Sequence, residues 1–300
     1  MSKKQGDAMV SDEPGKTAML SGSTGGLGAE IAKLLAGRGW DLALLNRSEE
    51  KSRQQQSELR DAYPDVSIST YKADLLDQTS IVAACHEIAG SHPNLSAIYN
   101  VAGLLTGNRI SSRQGIEGHF AINTVAPYLI CQHLCGVLEA AQQTGVHSVV
   151  VNLGSSAADS LKSLDVQSLA DPDEVGGLMG AYANSKLALT AMTLAMGRES
   201  GVSWLTADPG PTKTSMTRGG DGMPWFLRPL VPLLFKPADL QAKRLVDAVE
   251  LAAAENASGL YISQGRRKPV PASAQDLAVQ SDVMNLLAEL TSQTADERAG

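Results

Sequence analysis

Short apolar runs alternate with helical patterns along nearly the whole chain, and this alternation limits the fold more than any other feature. Thr17–Ser21, Asp41–Asn46, Val66–Lys72, Leu95–Val101, His147–Gly154, Val202–Ala207 and Gly259–Ser263 read as strands. Between them lie helical stretches: an amphipathic one from Leu27 to Arg38, a polar one from Glu49 to Ala62, and others at Thr79–Ala89, about His119–Ala141, Ala181–Glu199 and Ala238–Ala254. Strands that alternate with helices of this length form βαβ units, which predicts an α/β fold with a doubly wound parallel sheet and helices on both faces. The units run on past Val150 with no linker-like stretch, so residues 15–291 are read as a single domain. Residues 1–14 and 292–300 are read as flexible ends.

The first strand leads into the first helix through SGSTGGLG. Gly22, Gly26 and Gly28 let the backbone turn tightly and approach a pyrophosphate, with Ser23, Thr24, Gly25 and Leu27 completing the turn. The helix that follows offers free N–H groups and a positive dipole end to phosphate. Glycine turns also occur for purely structural reasons, but the position between strand and helix favours a dinucleotide. Asn46 and Arg47 follow the second strand, where a carboxylate suits a free ribose 2′-hydroxyl and a guanidinium suits a 2′-phosphate. The missing acid and the arginine favour NADP over NAD, although Glu49 and Glu50 are close enough to compete for Arg47.

Tyr182 and Lys186 stand four residues apart and so share one helical face. An ammonium beside a phenol favours the phenolate, which would make Tyr182 a general acid for a carbonyl oxygen or a base for an alcohol. Such a pair alone is usually just an amphipathic surface. Residues 213–236 break the rhythm with Pro224, Pro229 and Pro232 around a Trp-Phe-Leu cluster, and are read as an apolar flap over a ligand crevice. An ordinary packed loop is the plainer reading of that stretch.

The net charge of −7 argues against a nucleic-acid partner, and the short basic run Arg266-Arg267-Lys268, too short to reverse that, reads as a solvated turn. The N-terminus has no apolar core of a signal peptide, and no apolar run reads as long enough for an integral membrane segment, so a cytoplasmic protein is expected. Cys85, Cys131 and Cys135 read as reduced, buried thiols. On a helix, His133 would point away from the face shared by Cys131 and Cys135, so no metal site is expected there.

Four features then appear in order: the glycine turn, Asn100-Val101-Ala102-Gly103 after the fourth strand, Ser155 after the fifth, and Tyr182 with Lys186. With Asp74 after the third strand, Asn123 in the long helix and Pro209-Gly210-Pro211-Thr212 after the sixth, the chain resembles the short-chain dehydrogenase/reductase family over roughly Lys16 to Ser263. The resemblance is strongest to its retinol-dehydrogenase-like and carbonyl-reductase-like branches. It implies a Rossmann-type sheet and an NAD(P)-dependent oxidoreductase.

The roles below are those the resemblance implies. Tyr182 is the acid/base, and Ser155 polarises the substrate oxygen. Lys186 binds the nicotinamide ribose and lowers the tyrosine pKa, while Asn123 orders a water that passes protons to Lys186. Asp74 and Leu75 cradle adenine, Asn100, Val101, Ala102 and Gly103 line the adenosine side, and Pro209, Gly210 and Thr212 hold the carboxamide. The substrate would be a small carbonyl or alcohol, possible alternatives being C=C reduction on the same frame or a non-catalytic NADP-sensing role. The neighbouring Ser156 competes with Ser155 for the catalytic place. The family's usual N-N-A-G reads N-V-A-G here, and the stretch between Ser155 and Tyr182 is long, which leaves homodimer or monomer open.

Overall fold

The computed structural model describes residues 16–171, 177–198, 200–213 and 235–296. Its strands are β1 (Thr17–Ser21), β2 (Asp41–Asn46), β3 (Ile68–Lys72), β4 (Leu95–Asn100), β5 (Val149–Leu153), β6 (Ser203–Asp208), β7 (Leu260–Ser263) and β8 (Arg266–Lys268). They form one eight-stranded sheet in the order β3-β2-β1-β4-β5-β6-β7-β8. Every pairing from β3 to β7 is parallel, and only β7 with β8 is antiparallel. The strand order reverses between β1 and β4, and in open sheets of this kind ligands bind beyond the carboxyl ends of the strands at such a reversal.

The helices are α1 (Gly26–Gly37), α2 (Glu49–Ala62), α3 (Gln78–Ser91), α4 (Gly118–Gln143), α5 (Gly177–Met196), α6 (Ala238–Ala254), α7 (Ala272–Gln275) and α8 (Leu277–Asp296). Their starts have local causes. Ser48 caps α2 by accepting from the Lys51 N–H, and Glu49 and Glu50 lie in its first turn, where acids complement the helix dipole. Asp77 caps α3 through Thr79 and Ser80.

β1, β4 and β6 are buried at every position, which is why they read as continuous apolar runs rather than alternating ones. Within β1, Met19 joins the core formed with α3, α4, α5 and α8, whereas Ala18 and Leu20 join the one formed with α1 and α6. Successive side chains thus supply opposite faces of one sheet.

Three features differ from the sequence reading. The first is β8, which folds back from β7 through Gln264 (φ 51°) and Gly265 (φ 80°). Two consecutive left-handed residues make the tight turn that suits a twisted hairpin. Arg266-Arg267-Lys268, read as a solvated turn, is therefore an exposed edge strand. The second is α8, which occupies a stretch given no helix by the sequence reading and remains helical through Asp296, inside the end expected to fray. The third concerns α4, whose 26 residues include an 18-residue window with a mean hydropathy of 1.3, so one described helix is long and apolar enough to cross a membrane. Most of it is buried in the fold, however, with Ile130, Leu134 and Leu138 facing the sheet. The proposed flap at 213–236 lies outside the described residues except for its two ends.

Candidate active site

The glycine turn lies at the carboxyl end of β1, against the loop that leaves β4. Gly22 has φ +72°, and a Cβ there would lie 2.8 Å from Ala102 Cα. A Cβ on Gly28 would lie 2.2 Å from the Gly22 carbonyl oxygen, so side chains are excluded from both places. The Ala102 N–H donates to Ser21 Oγ at 3.3 Å and ties the two loops together. α1 then starts from Gly25 with no side-chain cap, leaving its first N–H groups for an outside acceptor.

Asn46 and Arg47 take different roles. Asn46 Oδ1 accepts from the Ser23 N–H at 2.8 Å, and its Nδ2 donates to Ser23 Oγ at 2.9 Å. Gln55 completes this clamp, accepting from Ser23 Oγ at 2.8 Å and donating to the Ser23 carbonyl at 2.6 Å. Asn46 is buried by these contacts and braces the turn. Arg47 is exposed, and no described residue pairs with it. Glu49, the expected competitor, instead bonds Arg53 and Lys72, each at 2.9 Å. Asp74 folds the end of β3 by accepting from the Leu76 N–H at 3.0 Å, and Leu75 is half-buried beside it. A cavity of about 390 Å³ opens between α1 and α2 on the flank of Thr24, away from Tyr182.

The second cluster lies beyond β4, β5 and β6. Ser155 caps a short 3-10 turn, Ser156–Ser160, and its side chain approaches the Tyr182 hydroxyl and favours the phenolate. Lys186 Nζ stands 5.9 Å from the Tyr182 ring centroid and donates to the Leu153 carbonyl at 2.6 Å. A Cβ on Gly103 would come within 3.7 Å of that Nζ, so the loop from Asn100 to Gly103 closes over the lysine.

Asn123 lies in a π-turn, Ala121–Val125, inside α4; such turns are frequent at functional sites. Its Oδ1 accepts from the Leu104 N–H at 2.8 Å, and its Nδ2 donates to the Leu104 carbonyl and to Ser185 Oγ, each at 3.0 Å. The Ser185 hydroxyl donates to the Tyr182 carbonyl at 2.8 Å, so Asn123 supports the backbone that carries the pair.

The electrostatics differ from the sequence expectation in one respect. Burial pushes the Tyr182 phenol above its ordinary range; the Ser155 side chain opposes this and the Asp208 charge adds to it. The Lys186 ammonium does not offset that burial, because its donor is directed at the Leu153 carbonyl. Lys186 is itself lowered to about 8 by burial, with Asp208 acting the other way.

Asn100 also braces the sheet, while its buried Oδ1 has no hydrogen-bond partner among the described residues. Its Nδ2 donates to Asn152 Oδ1 at 2.8 Å, and Asn152 Nδ2 donates to Thr193 Oγ1 at 2.9 Å. The amide chain pins β4 to β5 and α5 beneath the site. Pro209, Gly210 and Thr212 form the turn after β6, where the Thr212 hydroxyl donates to the Gly210 carbonyl at 2.8 Å.

Two groups at the site went unread in the sequence. Glu117 and His119 form a buried pair, with Nδ1 to Oε1 at 2.8 Å, while His119 Nε2 accepts from the Thr106 N–H at 3.2 Å. Burial opposes the charge on Glu117, but hydrogen bonds from His119 and the Phe120 N–H hold it below the usual carboxylate range. The His119 ring stands nearly perpendicular to Tyr182, at 6.4 Å between centroids. The second is Asp208, whose position at the carboxyl end of a central strand was the available signal. Cys131 and Cys135 share a face as expected, and the His133 ring instead lies against that of His86, tilted at 54° with 5.2 Å between centroids.

A sheet ordered in this way, with a glycine turn that excludes side chains at Gly22 and Gly28 and a Ser-Tyr-Lys cluster at its carboxyl edge, defines a dinucleotide-dependent oxidoreductase. A family model for short chain dehydrogenases matches residues 16–221, and the chain belongs to the short-chain dehydrogenase/reductase family of NAD(P)-dependent enzymes. The chain is similar to the short chain dehydrogenase/reductase dpchH of Colletotrichum higginsianum (28% identity, covering 94% of this chain and 76% of that protein). It is similar also to human retinol dehydrogenase 13 (27%, covering 88% and 80%) and to mouse polyprenol dehydrogenase (26%, covering 89% and 81%). Among solved structures, a protein from Mycobacterium paratuberculosis superposes with a TM-score of 0.70 at 20% identity, covering 94% of this chain and 96% of that one. A short-chain dehydrogenase from Sphingobium yanoikuyae in complex with NADPH gives 0.63 at 21%, covering 91% and 95%.

Proposed function

We propose that this enzyme interconverts a carbonyl and an alcohol with NADP as its cofactor, Tyr182 acting as acid/base. The observation that carries this reading is the approach of Ser155 to Tyr182 with Lys186 above the ring, at the strand edge that ends in Pro209–Thr212. The turn fits a dinucleotide, because a Cβ at Gly22 or Gly28 would fill the cradle. The amides from Thr24 to Gly28 would hold the pyrophosphate, and Arg47, free of any described partner, would hold the 2′-phosphate. When bound, the cofactor supplies or accepts the hydride, and the protein supplies position and a proton.

In reduction, Ser155 Oγ donates to the substrate oxygen and stabilises the charge that develops there. Tyr182 delivers its proton to the same oxygen. A phenol held above its ordinary range remains protonated at neutral pH, which suits it to this acid role and makes oxidation favour alkaline conditions. Ser155 rather than Ser156 takes the catalytic place, because its side chain is the one that approaches Tyr182 while Ser156 turns to Asp208.

Relatives named for retinol and polyprenol support a lipophilic substrate. Free thiols at Cys85, Cys131 and Cys135 are in keeping with a reducing compartment such as the cytoplasm. The test is a panel of aldehydes and ketones of increasing chain length, followed by NADPH absorbance. Consumption that rises with chain length is the expected result, and silence across the panel would count against the enzyme reading.

A further inference from the structure

Asp208 has no task in the proposed reaction, yet it is a carboxylate only 4% exposed at the edge of the site. No described cation forms an ion pair with it. Burying such a charge is costly unless it is well hydrogen-bonded. One oxygen accepts from the Gly210 N–H at 2.8 Å, and the other accepts from the Ser263 hydroxyl at 3.1 Å. The Ser156 side chain approaches the same carboxylate and favours its charged form. These groups come from three strand ends: Ser156 follows β5, Gly210 follows β6, and Ser263 closes β7.

Two of these contacts lead directly to the chemistry. Ser156 adjoins Ser155, which approaches the Tyr182 hydroxyl, and Gly210 belongs to the turn after β6. We propose that Asp208 is a positioning residue, tying the serine turn to the Pro209–Thr212 segment and setting a fixed negative charge behind the Tyr182–Lys186 pair. The inference rests on the oxidoreductase reading and deepens it.

The titratable groups around that pair come from several elements. α5 supplies Tyr182 and Lys186, and the 3-10 turn supplies Asp159. β7 supplies Tyr261, whose hydroxyl donates to Asp159 Oδ1 at 3.1 Å. His119 approaches Tyr182 edge-on from α4 with Glu117 beside it. Among these, the charge on Asp208 favours the ammonium of Lys186 and disfavours the phenolate of Tyr182. Neutralising Asp208 therefore moves both groups toward acid.

The test uses the full chain, with and without NADPH. Lysine NMR titration of the cofactor-free protein follows Lys186, assigned by the signal lost in Lys186→Arg. In Asp208→Asn its midpoint should fall by roughly half a pH unit or more. The kcat for carbonyl reduction should fall about tenfold, as expected for a lost hydrogen bond to a charged group, with the KM for NADPH nearly unchanged. Ser156→Ala, at an exposed position, should leave the Lys186 midpoint in place and lower kcat several-fold.

An unmoved Lys186 midpoint in folded Asp208→Asn would overturn the charge role. Wild-type kcat in Ser156→Ala would overturn the tie to the serine turn, and it decides the matter should Asp208→Asn fail to fold. Silence of the wild-type protein toward every carbonyl would fall on the oxidoreductase reading alone, because the lysine titration needs no substrate.

Discussion

The two ends of the cofactor groove are built from different materials. The phosphate end, around Gly22–Gly28, consists of backbone amides braced by the neutral carboxamides of Asn46 and Gln55. The reaction end gathers buried and half-buried ionisable groups, with Tyr182 pushed up, Lys186 pushed down and Asp208 without an ion-pair partner among the described residues. The first holds a ligand by shape and dipoles at little electrostatic cost. The second keeps groups away from their preferred ionisation states, as a proton-transferring site requires.

The largest expected effect falls at the reaction end. Tyr182→Phe removes the proton donor and should cut turnover by roughly 10²–10⁴-fold, with NADPH affinity by fluorescence nearly unchanged. Retained turnover would break the contrast, since the tyrosine would then be no more than a packing residue.

Lys186→Met tests the electrostatic cost itself. Because the folded-state pKa of Lys186 lies near 8, below its ordinary 10.5, the unfolded chain binds the extra proton between those values and stability rises with pH across that window. Below about pH 8 the cofactor-free variant should be more stable than the wild type by up to ~3 kcal/mol, offset in part by the Leu153 carbonyl left without its donor. The advantage should vanish above about pH 10.5, as read by urea unfolding at several pH values. An equal difference at every pH would mean that packing, not charge, sets the effect.

At the phosphate end, Arg47→Ala should weaken NADPH binding by roughly 10–100-fold, the loss of a charge-assisted contact, and leave NADH binding unchanged. Equal losses for both cofactors would separate Arg47 from the 2′-phosphate. The smallest effect concerns the thiols. Burial raises Cys85 to about 12 and lifts Cys131 well above its usual range, while Cys135 is half-buried. A thiol reagent should label Cys135 first, read by mass spectrometry, with little effect on turnover.

The phosphate end was the more legible in the sequence, because glycine spacing and strand order report backbone geometry directly. The parallel sheet and most helices could be read from periodicity for the same reason. The reaction end yielded its residue types but not their ionisation, which depends on burial that only the tertiary fold creates. The sequence favoured a Tyr182 lowered by Lys186, whereas the phenol is raised and the ammonium is turned to Leu153. Asn46 and Asn100 lie where a ligand-facing reading expected them, yet Asn46 spends its whole carboxamide, and Asn100 its Nδ2, on neighbouring protein groups. Spacing cannot tell an amide that faces a ligand from one that braces a loop. α8 carries Val279, Val283, Leu287 and Leu290 at helical intervals, but it follows the last strand and so stands outside the βαβ alternation that made the other helices legible.

The β8 hairpin bears on how the molecule behaves in a crowd. A parallel sheet that ended at β7 would present a row of unpaired peptide groups to any passing chain. Here that row is closed by a three-residue strand made only of Arg266, Arg267 and Lys268, all exposed. A second copy adding a strand alongside would bring like charges together and strip water from them. The cations that looked like a solvated turn thus act as a guard against sheet-to-sheet aggregation, independently of catalysis.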